Sequence, residues 1–203
     1  MHAKTHLIAT FVAAALTATA LAAPALTKRD AESMRHKIET INELAEQPRK
    51  PARTPPHRTV ITENEVNAYF TFDAARDLPP GVVAPSISIV GDGRLSGRAL
   101  VDFDAVRKAS PPKSLLDPKN LLAGRIPLTA TGVLTTSNGT GRFALESASA
   151  GSLPLPKLLL DEIVGYYSRT PGNPNGFSLD SPFPLPAGIR EVQITRGQAV
   201  VVQ

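Results

Sequence analysis

Over Ile87 to Phe103 and again over Ile126 to Leu145 the chain places an apolar or small residue at nearly every second position, each run broken by a glycine-containing turn. Ile87 and Ile89 alternate with Ser86 and Ser88. After Gly91-Asp92-Gly93, the residues Leu95, Gly97, Ala99, Val101 and Phe103 alternate with Arg94, Ser96, Arg98, Leu100, Asp102 and Asp104. A period of two gathers these side chains onto one face of a strand, whereas on a helix it would scatter them around the axis. The turn between the runs predicts an antiparallel hairpin with one apolar and one wet face. A second hairpin carries Ile126, Leu128, Ala130, Gly132 and Leu134 on its outgoing strand and Phe143 and Leu145 on its return. Asn138-Gly139 lies in the turn between them and suits the left-handed turn such hairpins need. A third hairpin is predicted from Ile189 to Val202 around Arg196-Gly197, with Thr59-Val60-Ile61 as a short strand-like lead.

Helical signals flank these strands. Thr62-Glu63-Asn64-Glu65 is a capping box, in which the Thr62 hydroxyl meets the Glu65 amide and the Glu65 carboxylate reaches back. The helix it starts carries Val66, Tyr69, Phe70 and Asp73 on one face and ends near Leu78-Pro79-Pro80-Gly81. A second helix opens after Pro154 and Pro156, with Leu159, Leu160, Ile163, Val164, Tyr166 and Tyr167 as a broad apolar face. It reads as a core helix or as one wall of a pocket. Residues 169–188 read as proline- and glycine-rich coil, with a strand near Phe177-Ser178-Leu179. The expected fold is therefore α+β: a long curved antiparallel sheet of about six strands wrapping one or two helices, plus a separate N-terminal helix.

The first third of the chain has a different character. Lys4 precedes an uncharged apolar run from Leu7 to Leu21, which ends in Ala20-Leu21-Ala22 as a small-x-small site. This pattern predicts a secretory signal peptide over residues 1–22; the run is shorter than the roughly 20 residues of a spanning helix. Residues 27–48 predict a helix with a narrow stripe of Met34, Ile38, Ile41 and Ala45, which can pack on its own domain, a partner or a membrane surface. Residues 48–58 combine four prolines with four Lys/Arg cations, one histidine and no acid. Such a linker serves as an extended spacer or meets an anionic membrane surface, at about 1 kcal/mol per cation. The expected organisation is 1–22 signal, 23–58 helix and linker, and 59–203 folded domain, with a periplasmic or secreted location. Export and the lack of interleaved aromatics argue against nucleic acid.

Catalytic chemistry is sparsely represented. There is no cysteine, and all four histidines lie at or before His57, so thiolate sites and histidine-based zinc or triad chemistry within residues 58–203 are excluded. Asp102 and Asp104 fall on the same strand face and imitate a carboxylate pair, although Arg98 and Arg107 nearby suit a solvated strand end. Screening them as part of a hydrolase is the enzymatic alternative; the expectation is no enzyme, no metal and no cofactor. Asn138-Gly139-Thr140 matches a glycosylation sequon and equally reads as a turn.

Gly97, Ala99, Ala130 and Gly132 leave space on the apolar strand face. Either a helix packs closely there or an apolar ligand does.

Two stretches bear on that choice. Ile61 to Phe70, with its Thr-Glu-x-Glu-x-Asn-Ala pattern, and Phe183 to Val202, with its Leu-Pro-x-Gly-Ile and closing valines, resemble the small exported proteins related to YpmS and LmeA. Pro127 to Gly132 and Pro154 to Leu160 are also similar. The resemblance spans residues 59–203, omits the basic linker and carries no catalytic residue. It implies a lipid-binding module akin to the tubular lipid-binding (TULIP) folds, with a phospholipid or other acyl ligand in a groove between sheet and helix. On that expectation Ile87, Ile89, Leu95, Ala99, Ala130, Leu134, Ile163 and Tyr167 line the groove. The alternative is an envelope scaffold or protein-interaction module with a filled core and no ligand.

Overall fold

The computed structural model describes residues 25–47, 55–74, 78–109, 111, 123–167, 174, 176, 178–179 and 181–203. The expected signal peptide, residues 48–54 of the basic linker and Phe177 lie outside the described residues.

The chain runs α1 (Lys28–Glu46), β1 (Arg58–Thr62), α2 (Glu63–Phe72), β2 (Val82–Gly91), β3 (Arg94–Asp102), α3 (Phe103–Ala109), β4 (Arg125–Ser137) and β5 (Thr140–Ala150). It continues through β6 (Leu153–Pro154), α4 (Lys157–Tyr167), β7 (Phe183–Pro184), β8 (Glu191–Thr195) and β9 (Gln198–Val202). The fold is α+β. A six-stranded antiparallel sheet has the order β2-β3-β4-β5-β6, with β7 also paired to β5. Its meander follows from the two sequence hairpins. Asp92 and Gly93, and likewise Asn138 and Gly139, all adopt positive φ, the geometry of the tight turns that match strand twist.

The predicted third hairpin and its strand-like lead form a separate second sheet of order β1-β9-β8, where one long sheet was expected. Thr59 to Thr62 pairs with Val201 to Gln198, joining the two ends of the domain. Its core is Ile41 of α1, Ile61 of β1 and Val201 of β9, with Met34, Val66, Ala187 and Ile189 packed around them. Helix α1 thus docks on its own domain, away from the large sheet, and Ala31 and Ile41 become buried. At one end of the large sheet Val101, Phe103 and Val106 form another cluster, packed by Ala99, Ile126 and Leu128.

Two expectations are corrected here. The strand ending in Phe103 stops at Asp102, and Phe103 opens α3; Phe103 continues the period of two from Val101 and also stands three residues before Val106, a helical spacing, so it fits either element. Ser178 and Leu179 are not in a strand, and the short strand of that region is Phe183–Pro184.

Candidate functional site

Residues directly opposite each other in antiparallel strands share a face of the sheet. The register therefore assembles rows across the sheet. Ile87 lies opposite Gly97, which lies opposite Ala130, which lies opposite Ala148. Ile89, Leu95, Gly132 and Leu145 form the next row, and Leu134 lies opposite Phe143. Every member is apolar or glycine. The opposite face carries Ser86, Ser88, Arg94, Ser96, Arg98, Thr129, Thr131, Arg142 and Glu146, with Arg94 held to Glu146 by two bonds of 2.7 and 2.8 Å.

The structure thus brings Ile87, Ile89, Leu95 and Ala130 together as neighbours. Leu134 lies toward the β4–β5 turn beside Phe143, and Ala99 lies toward the other end, against the Val101 cluster. Ile89 is buried at 4% exposure, while Ile87, Leu95, Ala99, Ala130 and Leu134 are only half-buried. Ile163 and Tyr167 are on α4, but their side chains lie outside the described residues.

The two strand glycines differ in what they face. A Cβ added to Gly97 would meet nothing within 4 Å, so the sheet is open at that point. A Cβ on Gly132 would lie 2.5 Å from Cζ of Phe143 and 2.6 Å from the Ala144 carbonyl. The Phe143 ring therefore occupies the space Gly132 leaves, the familiar covering of a strand glycine by an aromatic neighbour. A separate open cleft of about 280 Å³ lies at the β4–β5 tip, lined by Thr135, Thr136, Ser137, Thr140, Gly141, Arg142 and Pro182; it includes none of the eight expected residues.

Helix α2 sets the boundary of this face. The Asn67 amide accepts from the Ile87 N–H at 2.7 Å and donates to the Ile87 carbonyl at 2.8 Å. Glu63 accepts from the Ile89 N–H at 2.6 Å, and the Ile89 carbonyl accepts from the Gly197 N–H at 2.8 Å. The free edge of β2 is thereby satisfied by side chains and a turn rather than by another strand. The capping box at Thr62 and Glu65 forms as the sequence indicates. Glu65 does more, accepting from Ser33 at 2.6 Å and Lys37 at 2.5 Å on α1. Burial raises the Glu65 pKa, but the bonds from Lys37, Ser33 and the Thr62 amide outweigh it and hold the carboxyl below its ordinary value of 4.5. Sequence reasoning missed Asn67 and the second duties of Glu63 and Glu65. The Glu-x-Glu-x-Asn spacing was the signal, but its partners are distant in sequence.

Asp102 and Asp104 do not form a carboxylate pair. Asp102 Oδ1 accepts from the amides of Asp104 and Ala105, and its Oδ2 accepts from Arg125 at 3.1 Å. The Ala105 amide and then Arg125 hold its carboxyl below the usual range, which suits a helix cap. Asp104 belongs to the first turn of α3 and pairs with Arg107. Among the described residues no group of three or more acidic or histidine side chains could hold a metal. No helix there is long and apolar enough to cross a membrane.

No family model matches the chain, and no curated protein matches it. The likeness to the YpmS and LmeA group therefore remains a resemblance of short stretches. A solved structure of a lipopolysaccharide binding protein aligns over 72% of this chain and 40% of its own length, at 18% identity and a TM-score of 0.20. This chain spans well under half of that protein, and a likeness of this degree carries no argument about fold or ligand.

Proposed function

We propose that the protein is a non-catalytic, exported module that holds the acyl part of a phospholipid or similar lipid against the apolar face of its large sheet. The observation that carries this is the wholly apolar set of cross-strand rows, half-buried at Ile87, Leu95 and Ala130 and open at Gly97. Burying about ten methylenes contributes roughly 8 kcal/mol, a gain of the same order as the cost of association. The structural duties of Asp102, Glu63 and Glu65 support a non-catalytic role, since each carboxylate is already committed. The uncharged run and small-x-small site before Ala23 support export.

One observation favours a second reading, a scaffold with a filled core. The Phe143 ring lies over Gly132, so part of the face is occupied by the chain's own atoms.

Native mass spectrometry and solvent extraction of protein purified from an exporting host separate the two. The lipid reading expects a bound acyl species and uptake of a fluorescent fatty acid. No extracted lipid together with no uptake rejects it in favour of the scaffold. The same preparation tests export, because the mature chain should begin at Ala23.

A further inference from the structure

We propose that Asn138, at the tip of the β4–β5 hairpin, is a latent modification site. It deamidates to aspartate and isoaspartate through its neighbour Gly139, and a clamp from the β7–β8 connection withholds that reaction while the chain is folded. The proposal is independent of the lipid reading. The stretch Asn138-Gly139-Thr140 reads as a turn and as a sequon, and neither reading uses the reactivity of the pair. In Asn-Gly the following residue has no side chain to shield its backbone nitrogen, and asparagine is among the thermolabile residues. Asn138 is exposed.

The reaction needs only water. The Gly139 nitrogen loses its proton and attacks Cγ of Asn138. A C–N bond forms, the Cγ–Nδ2 bond breaks, and ammonia leaves with the proton. Water then opens the cyclic imide at either carbonyl. One opening gives aspartate. The other gives isoaspartate, in which the chain runs through the former side chain and the backbone gains a methylene. A two-residue turn fixes the register of its hairpin, so the added atom would loosen the pairing of Ser137 with Thr140.

The geometry blocks the first move. The Gly139 N–H donates to the Arg190 carbonyl at 2.8 Å, and the Gly139 carbonyl accepts from the Leu185 N–H at 2.8 Å. The Ile189 N–H donates to the Pro186 carbonyl at 3.0 Å, so residues 185–190 close into a loop that grips Gly139 from both ends. That loop is itself anchored. Pro184 and Phe183 pair with Thr140 and Gly141, and the Arg190 N–H donates to the Val202 carbonyl at 2.8 Å. A proton held by a carbonyl is shielded from the hydroxide that must take it, and turning the nitrogen onto Cγ breaks that bond. Asn138 and Gly139, at φ of 49° and 78°, are held in the turn conformation meanwhile. The lock belongs to the junction between the large sheet and the lead into β8, and the site opens when that junction opens.

The test compares one chain in two states. The full mature chain is incubated at mildly alkaline pH, folded or unfolded in urea, and conversion at Asn138 is followed by peptide mass spectrometry and isoaspartyl methyltransferase labelling. In urea Asn138 should convert, alongside Asn175, the other asparagine followed by glycine. In the folded chain Asn138 should convert at least about tenfold more slowly, with the Gly139 amide protected from hydrogen exchange. No conversion of Asn138 in urea overturns the site. Equal rates in the two states overturn the lock. Slow conversion beside a Gly139 amide that exchanges as in the unfolded chain also overturns it, because the protection then lies elsewhere. Leu185→Pro removes one donor of the clamp and should speed conversion of Asn138 in the folded chain, with thermal melting as the check on folding. An unchanged rate in the folded variant contradicts the clamp. Where the variant does not fold, the two wild-type states and the exchange of the Gly139 amide still decide.

Discussion

Asn67 illustrates how much of this fold rests on single polar side chains. Its amide presents a donor and an acceptor to Ile87 and so mimics a neighbouring strand. Asn67→Ala leaves both backbone groups unpaired and should cost about 2 kcal/mol, read by denaturant unfolding, with faster hydrogen exchange at the Ile87 amide. Glu65 joins α1 to α2 with a side chain only 10% exposed. Removing it in Glu65→Ala should cost about 3 kcal/mol, because Lys37 loses its counter-charge. Its lowered pKa fixes the sign of the pH dependence. The stabilisation is complete above the ordinary value of 4.5 and is lost as pH falls through the lower folded value. A pH series of unfolding curves should show this fall in the wild type and lack it in Glu65→Gln. The two strand glycines give an opposed pair. Gly132→Ala should destabilise by about 1–3 kcal/mol, because the Phe143 ring and Ala144 carbonyl would have to move. Gly97→Val meets open space and should melt no lower than wild type, while reducing fatty-acid uptake.

At the scale of elements, the large sheet was legible because period, turn residues and polarity all agree. Ile87 to Val101 and Ile126 to Leu145 fall where the alternation puts them, and Asp92-Gly93 and Asn138-Gly139 turn where such pairs turn. Helix α3 was not legible. A seven-residue helix spans too few turns to reveal a 3.6 period, and Asp102 shows itself as its cap only through the amides of Asp104 and Ala105. The sealing of edges was also hidden. Asn67 and Glu63 do it for β2, and Thr136 does it for β8, accepting from the Val192 N–H at 2.8 Å and donating to the Val192 carbonyl at 3.0 Å. These contacts join residues 20 to 56 positions apart, and no local pattern announces them. Helix α1 belongs to the same lesson. Its stripe is narrow, but Ile41 is 7% exposed within the core of the small sheet. Ile41→Ala should cost about 3 kcal/mol in thermal or denaturant unfolding, whereas a helix reserved for a partner would lose almost nothing.

The whole molecule has two centres. The small sheet closes the domain by pairing Arg58–Thr62 with Gln198–Val202, and it takes α1 into its core. The large sheet supplies an apolar face whose rows run from Ile87 to Ala148 and from Ala99 to Leu153. The candidate site was legible in part. Small residues on an alternating strand announced room, but whether that room is open or filled depends on neighbours. Phe143 fills it at Gly132 and nothing within 4 Å does at Gly97. This division of labour makes the central claim a statement about place: the acyl chain lies on the face that holds Ile87, Leu95, Gly97 and Ala130. A fatty acid carrying a photoactivatable diazirine in its chain, cross-linked to the purified protein and mapped by peptide mass spectrometry, tests it directly. The account predicts modification of β2, β3 and β4 at those residues and their row neighbours, competed by unlabelled fatty acid. Modification confined to α1 or to the polar face around Arg98 and Thr129, or none above a heat-denatured control, would contradict it.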